Sequence, residues 1–369
     1  VDTGTTRLLS LVALLGGGCA TGLGPGALRG ERPDYNQQIV RSADAEMLLN
    51  LVRLRYNDSP LFLELGTIVA QYSYDGSVAV GGQISGSGPS NATVGTSLGY
   101  SEKPTVTWTP LAGEEFATRM LAPIPLDAIM LYEQTGWRAD RLFLLTIQRV
   151  NDLFNAPTAS GPTPDAPPDY VPFADFAERF HRLRSANLAG LNWEKREGEK
   201  EPPGRNPRFW VRAPADARSA LNADVAALRR YLDLEPQRND FVLTEFPFER
   251  RSTEVGMRPR SLLGVMYFLS QAVEPPEPDV AAGHVTVTKD AEGRPFDWSR
   301  VTGRVMAIHS QKDRPTNAYV AVRYRGWWFW VADDDHSSKA TFSLVNTLFS
   351  LQAATGKGRT PLLTLPVGR

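Results

Sequence analysis

Tyr72-Ser73-Tyr74-Asp75-Gly76-Ser77-Val78-Ala79-Val80-Gly81-Gly82-Gln83-Ile84 alternates with a period of two. Tyr72, Tyr74, Val78, Val80 and Ile84 fall on even positions; Ser73, Asp75, Ser77 and Gln83 fall on odd ones. Side chains of a strand point alternately to opposite faces, so this pattern predicts a strand. Gly86-Ser87-Gly88-Pro89-Ser90-Asn91 has the composition of a turn. Beyond it, Val94, Leu98, Tyr100, Val106 and Trp108 share one face, while Thr93, Ser97, Ser101, Lys103, Thr105 and Thr107 share the other. The stretch 67–109 therefore predicts a long two-faced hairpin.

Outward from the hairpin the period changes. Met47, Leu48, Leu51 and Leu54 recur at helical spacing, with Glu46, Asn50, Arg53 and Asn57 opposite. Ser42 is a candidate N-cap, Asp44 and Glu46 fall in the first turn, and Asn57-Asp58-Ser59-Pro60 ends the helix. Further helices are expected near 113–121, 126–135, 139–154, 173–190, 215–233, 259–273 and 338–353. Val285-Thr286-Val287 and Val305-Met306-Ala307-Ile308 read as strands. Tyr319–Tyr324, Arg325-Gly326 and Trp327–Val331 read as a tight hairpin, and Leu362–Leu365 as a closing strand.

The fold expected is α+β: amphipathic helices, a long antiparallel hairpin and a C-terminal mixed α/β part. Six prolines in 156–172 predict a linker or long surface loop there. The organisation expected is 1–18, a signal peptide; 19–40, a tether; 41–155, the helix and hairpin region; then the 156–172 segment and an α+β region over 173–369.

Of 369 residues, 42% are hydrophobic and 22% charged, with a net charge of −1. Such a chain can bury a core, which excludes disorder throughout. Near-neutral charge gives no footprint for nucleic acid. The one cysteine, Cys19, excludes an internal disulfide, a redox pair and a multi-cysteine zinc site.

Cys19 stands after Arg7, the apolar run Leu8–Leu15, and Gly16-Gly17-Gly18. A cation, a short apolar stretch and small residues before a cut form the pattern of a secretory signal. The apolar run is too short for a bilayer span, which needs ~20 residues. This order resembles the bacterial lipoprotein class, with Gly16 standing where that class commonly carries Leu. The resemblance implies that Cys19 is acylated and becomes the mature N-terminus. It also implies a membrane partner through the lipid. Ala20 follows where Asp would resemble the inner-membrane retention signal, so the outer membrane, facing the periplasm, is the expected location. The glycines and prolines of 20–40 suit a flexible tether.

The body of the chain offers weaker chemistry. Gly95-Thr96-Ser97-Leu98-Gly99 matches the G-x-S-x-G nucleophile elbow, but the residues continue an alternating strand rather than a strand–turn–helix. Asp333-Asp334-Asp335-His336 could ligate a divalent cation; consecutive residues cannot all point at one centre, and a helix N-cap is the simpler use. His181, His284, His309 and His336 form no H-x-x-x-H pair. Trp327-Trp328-Phe329-Trp330 alternates, so one face fills the core and the other is free for a contact. No cofactor, metal set or catalytic set is read. The function expected is a lipid-anchored envelope protein with a structural, binding or assembly role and an envelope protein partner. Two alternatives are an oligomeric outer-membrane pore or secretion component inserting the 67–109 hairpin, and an envelope hydrolase using Ser97 or His336.

Overall fold

The computed structural model describes residues 25–83, 91–194, 206–245 and 251–353, and the fold is α+β. Cys19, the signal segment and the 362–365 strand lie outside the described residues. The chain divides into two compact units, residues 61–117 and the rest.

The smaller unit is the long strand pair. Strands β1 (Leu63–Gln83) and β2 (Asn91–Pro110) run antiparallel, Tyr74 opposite Tyr100 and Val80 opposite Val94. The register matches even positions with even, so the two alternations are in phase across the ladder. Leu111 N–H donates to Phe62 O at 2.9 Å, so the chain enters and leaves at one end. The edge-on rings of Phe62 and Phe116, centroids 5.7 Å apart, pack at that end.

In the larger unit, helix α1 spans Pro25–Arg55. It begins well before the expected Ser42 cap, and the stretch read as a tether is helical from Pro25. Asp44 is therefore mid-helix and buried, accepting from Tyr319 Oη at 2.7 Å and Asn346 Nδ2 at 2.6 Å. Burial, followed by that hydrogen bond, pushes the Tyr319 hydroxyl up to about 12. The expected apolar face is fully buried, and Asn50, expected on the polar face, is buried with it.

Next come α2 (Glu114–Leu121), α3 (Leu126–Gln134), α4 (Ala139–Thr146), α5 (Val171–Ser185) and α6 (Leu221–Leu232). Strands β3 (Ile147–Val150), β4 (Leu153–Phe154), β5 (Ala189–Trp193), β6 (Pro207–Val211), β7 (Asp240–Thr244) and β8 (Glu254–Pro259) form a six-stranded sheet ordered β4-β3-β8-β7-β6-β5. The β7–β8 pair is parallel and the others are antiparallel. The expected helix over 139–154 stops at Thr146, where the chain passes straight into β3. Phe143, Phe180, Phe209 and Phe241 run ring to ring from α4 and α5 onto β6 and β7, with centroid spacings of 4.9, 5.6 and 6.4 Å. This string is the spine of the core. Gly190 on β5 is required by its neighbour: a Cβ there would lie 2.9 Å from the Trp210 indole nitrogen.

The proline-rich 156–172 segment does not separate two domains. Ala156 and Ala159 are fully buried, and Pro164 O accepts from Thr288 Oγ1 at 2.8 Å.

Helices α7 (Leu262–Ser270), α8 (Glu277–Ala281) and α9 (Ser299–Thr302) follow. Ser261 caps α7, its Oγ accepting from Gly264 N at 3.0 Å. A three-stranded sheet, ordered β10-β11-β9, combines β9 (His309–Gln311), β10 (Ala318–Tyr324) and β11 (Trp327–Ala332). Arg325 and Gly326 both have positive φ, as a two-residue hairpin turn of this twist requires. Neither 285–287 nor 305–308 forms the expected strand; the ladder begins at His309. Helix α10 spans His336–Ala353.

An ionic cluster joins α5 to α6. Buried Asp224 accepts from Arg179 Nη1 at 2.6 Å and from Arg182 Nη2 and Nε at 2.8 and 2.9 Å. The Arg182 hydrogen bond is the chief cause holding the Asp224 carboxyl below its ordinary range. A depressed folded-state value contributes stability above the ordinary carboxylate value of ~3.9 and loses it as pH falls through the lowered one. Asp224→Asn is expected to remove about 1–3 kcal/mol at neutral pH. Urea melts should show the loss shrinking towards acid pH; an equal loss at every pH contradicts this account.

Candidate functional site

The residues with candidate chemistry are put to structural use. Ser97 lies within β2, its Oγ 2.7 Å from Ser77 Oγ, so no nucleophile elbow forms. Asp335 caps α10, accepting from the Ser338 amide at 3.0 Å and from its hydroxyl. Asp333 accepts from Lys339 Nζ at 2.6 Å. Among the described residues, no three His, Cys, Asp or Glu side chains are grouped to hold a metal ion. His336 opens α10, His309 meets Glu274 at 3.1 Å, and His284 lies 3.6 Å from Asp279. Against the effect of burial, His181 lies near enough to Asp140, and His309 to Asp335, to help lower each carboxyl.

The aromatic block splits by alternation from Phe329 onward, while Trp327, expected on the Phe329 face, is half-buried. Phe329 and Val331 are fully buried, whereas Trp328 and Trp330 are half-buried on the other face. Arg314 lies 5.5 Å from the Trp328 ring and His309 lies 5.1 Å from Trp330, so this face is partly covered by its own chain.

Between α4, α5 and the α10 N-terminus, Arg138, Arg141, Arg304 and Ser337 line a cavity of about 380 Å³. Arg138 pairs with Asp140 and Arg304 with Glu178, and Arg141 donates to Ser337 Oγ while its buried Nε has no hydrogen-bond partner.

A second cavity, of about 330 Å³, has a more apolar lining and one buried cation, Arg55. Its floor is the C-terminal end of α1, where the sequence turns at Tyr56 and Asn57. Tyr56 Oη donates to Asp279 Oδ2 at 2.6 Å, and Asn57 Nδ2 donates to Thr286 Oγ1 at 3.0 Å. Burial first, then Asp279, pushes the Tyr56 hydroxyl far above its ordinary range, so it stays protonated as the donor. One wall is the chain after α7: Glu274 N donates to Ile308 O at 2.9 Å and Ile308 N to Ala272 O at 3.1 Å. The opposite wall is 287–298, where Trp298 Nε1 donates to Thr288 Oγ1 at 3.0 Å and Phe296 N to Thr288 O at 2.8 Å. Val273, Val280, Val287, Phe296, Trp298 and Met306 give the interior an apolar lining.

Two buried polar side chains are among the lining residues, each with one atom that has neither a partner nor accessible surface. Arg55 is 8% exposed and Gln271 5%. Arg55 Nη1 donates to Thr286 O at 2.9 Å, but its buried Nε has no hydrogen-bond partner. The buried Oε1 of Gln271 has none either. Burial pushes the Arg55 guanidinium down to about 10, which leaves it charged at neutral pH.

Sequence reasoning did not select Arg55 or Gln271. Each is an ordinary polar residue near a helix end, and only the tertiary fold buries them together. The chain matches no protein-family model, no curated protein and no solved structure.

Proposed function

We propose that this protein is a lipid-anchored component of the bacterial envelope that acts by assembly, its long strand pair reaching a protein partner. Gly17-Gly18-Cys19 after the apolar run supports the anchor. The strand pair supports the assembly role. Arms of 21 and 20 residues, at ~3.3 Å per residue, reach roughly 65–70 Å, far beyond the usual strand of ~5–6 residues. An isolated two-stranded ribbon is at best marginally stable in water. A ribbon this long, with an in-phase apolar row, gains stability from a second surface laid against it.

One specific observation favours a second reading, the oligomeric pore. A membrane-crossing strand needs only ~9–11 residues, so each arm is long enough to span a bilayer in a closed barrel built from several copies.

Whole-cell crosslinking decides between them. Replacing Leu63–Pro110 by a short Gly-Ser linker is expected to abolish crosslinks to a different envelope protein while the chain stays in the membrane fraction. Rings of this chain alone, lost in Val80→Arg, establish the pore reading instead. Unchanged crosslinks in the shortened chain overturn both.

A further inference from the structure

We propose that the turn end of the β10–β11 hairpin is a membrane-contact surface that binds the anionic headgroups of a phospholipid bilayer. The proposal deepens the anchored reading above, and its test is arranged so that the two can fail separately.

The argument starts from where the cations sit. Arg325 occupies the hairpin turn, and Arg323 lies opposite Trp328, one pair before the last. On the other side of Trp328 stands Gln311, the final residue of β9, so the loop that follows begins at the same end of the sheet. Lys312 opens that loop, its Nζ 3.9 Å from the position a Cβ on Gly326 would take. Arg314 comes two residues later. All four cations are exposed. The opposite end of the sheet, after Ala332, carries Asp333, Asp334 and Asp335. The small sheet is therefore basic at its turn end and acidic at the other.

What holds these cations narrows the partner. Lys312 Nζ lies 4.7 Å from the Trp327 ring centroid, Arg314 lies 5.5 Å from that of Trp328, and Arg325 5.5 Å from that of Tyr56. A ring positions a cation through its quadrupole but does not neutralise it. Among the described residues no carboxylate pairs with any of the four. Asp58 and Asp313 are also exposed at this end, and Asp58 accepts from the Tyr324 hydroxyl instead. Four cations against these two carboxylates leave a local positive excess in a chain whose net charge is −1.

Exposed charge spread over a turn and its neighbouring loop suits an extended anionic surface. Trp327 and Trp328 stand half-buried among the cations, and indoles are favoured at the headgroup level of a bilayer. A soluble polyanion meets the charge as well, but a chain held by a lipid already stands beside a headgroup surface. Each Lys or Arg near an anionic bilayer strengthens attachment roughly fivefold. Four such factors make a contact that is weak alone, so the turn end orients an anchored body and does not retain an unanchored one.

The test is sedimentation of the purified full chain carrying Cys19→Ala with vesicles of phosphatidylcholine, alone or mixed with phosphatidylglycerol. Without an acylated residue, the anchor does not enter the reading. At low salt the chain is expected to bind the anionic vesicles at least about a hundredfold more tightly than the neutral ones, and high salt should release it. Lys312→Gln, Arg323→Gln and Arg325→Asn should each weaken anionic binding roughly fivefold, and together remove most of the preference. Asn tolerates the positive φ of position 325, so the melting curve should not move. Trp327→Ala should weaken binding several-fold. Equal binding to both vesicle types, or parent-like binding by the triple variant, overturns the proposal. Binding to soluble heparin that depends on these cations, without binding to vesicles, overturns it in favour of a soluble polyanion. A native chain that lacks acyl groups yet binds anionic vesicles through these cations overturns the anchored reading and upholds this one.

Discussion

Arg260→Met is expected to remove about 3–5 kcal/mol of folding stability, among the largest effects of any single substitution in this chain. Arg260 is 1% exposed and is the largest fully buried side chain among the described residues. Among the described residues no carboxylate pairs with it. Its Nη1 donates to Leu144 O, Leu145 O and Ile147 O, each at 3.0 Å, its Nη2 to Asn155 O, and its Nε to Ser160 Oγ at 3.0 Å. The first three carbonyls are where α4 gives way to β3, and the last carbonyls of a helix lack partners within it. The guanidinium thus caps α4 from a distant part of the chain. Its face lies 4.2 Å from the Phe268 ring centroid. Burial pushes the group down to about 9, and it remains a cation at neutral pH, where carbonyl acceptors and the negative helix end favour the charge. Asn155 Nδ2 also donates to Leu144 O and Ile147 O, so Met leaves Leu145 O and Asn155 O with the greatest deficit. Arg260→Lys should recover only part of the loss, since one ammonium cannot reach acceptors spread across a fork. Denaturant melts measure both variants; a loss for Met below ~1 kcal/mol contradicts the capping role.

Cys19→Ala is expected to move the protein completely from the membrane fraction to the soluble fraction. Each buried lipid CH₂ contributes ~0.8 kcal/mol, and stable anchoring takes more than one acyl chain. Removing the attachment atom removes all of them together. Among the described residues no helix is long and apolar enough to cross a membrane, so no helical span there is available to replace the anchor. Alanine at position 19 leaves every described contact intact, so its melting curve should equal that of the parent chain. Retention of Cys19→Ala in the membrane against a salt wash contradicts lipid-only attachment and shifts weight to the strand pair.

What the sequence makes legible follows from how far apart the deciding residues lie. The long strand pair and the β10–β11 hairpin are each written in consecutive residues, through period-two alternation and, at Arg325-Gly326, a turn dipeptide that tolerates positive φ. Helices α3, α5 and α7 are likewise visible in local apolar spacing. The six-stranded sheet is not. Its strands are two to six residues long, and β3 follows α4 without an intervening turn, so the helical pattern reads straight through it. Strand Glu254–Pro259 has three consecutive buried residues and pairs on both sides, which erases alternation. The linker alternative for 156–172 is misleading for a related reason. Prolines signal a break in regular structure, and between the short 3-10 turn Pro157–Ser160 and the start of α5 at Val171 the segment is irregular, yet Ala156, Ala159 and the Pro164 carbonyl are built into the core.

The cavity was invisible for the plainest reason. Arg55 and the carbonyl it meets at Thr286 are 231 residues apart, and nothing local distinguishes a buried arginine from the many exposed ones. Asp335 shows the opposite case. Its place before Ser338 reads as an N-cap, and the structure uses it as one.

The anchoring claim is tested most directly by mass spectrometry of the mature N-terminal peptide from protein extracted out of its native membrane. The account predicts a peptide that begins at Cys19 and carries the added mass of acyl chains on that residue. A peptide that retains residues before Cys19, or begins there with a free thiol, contradicts it.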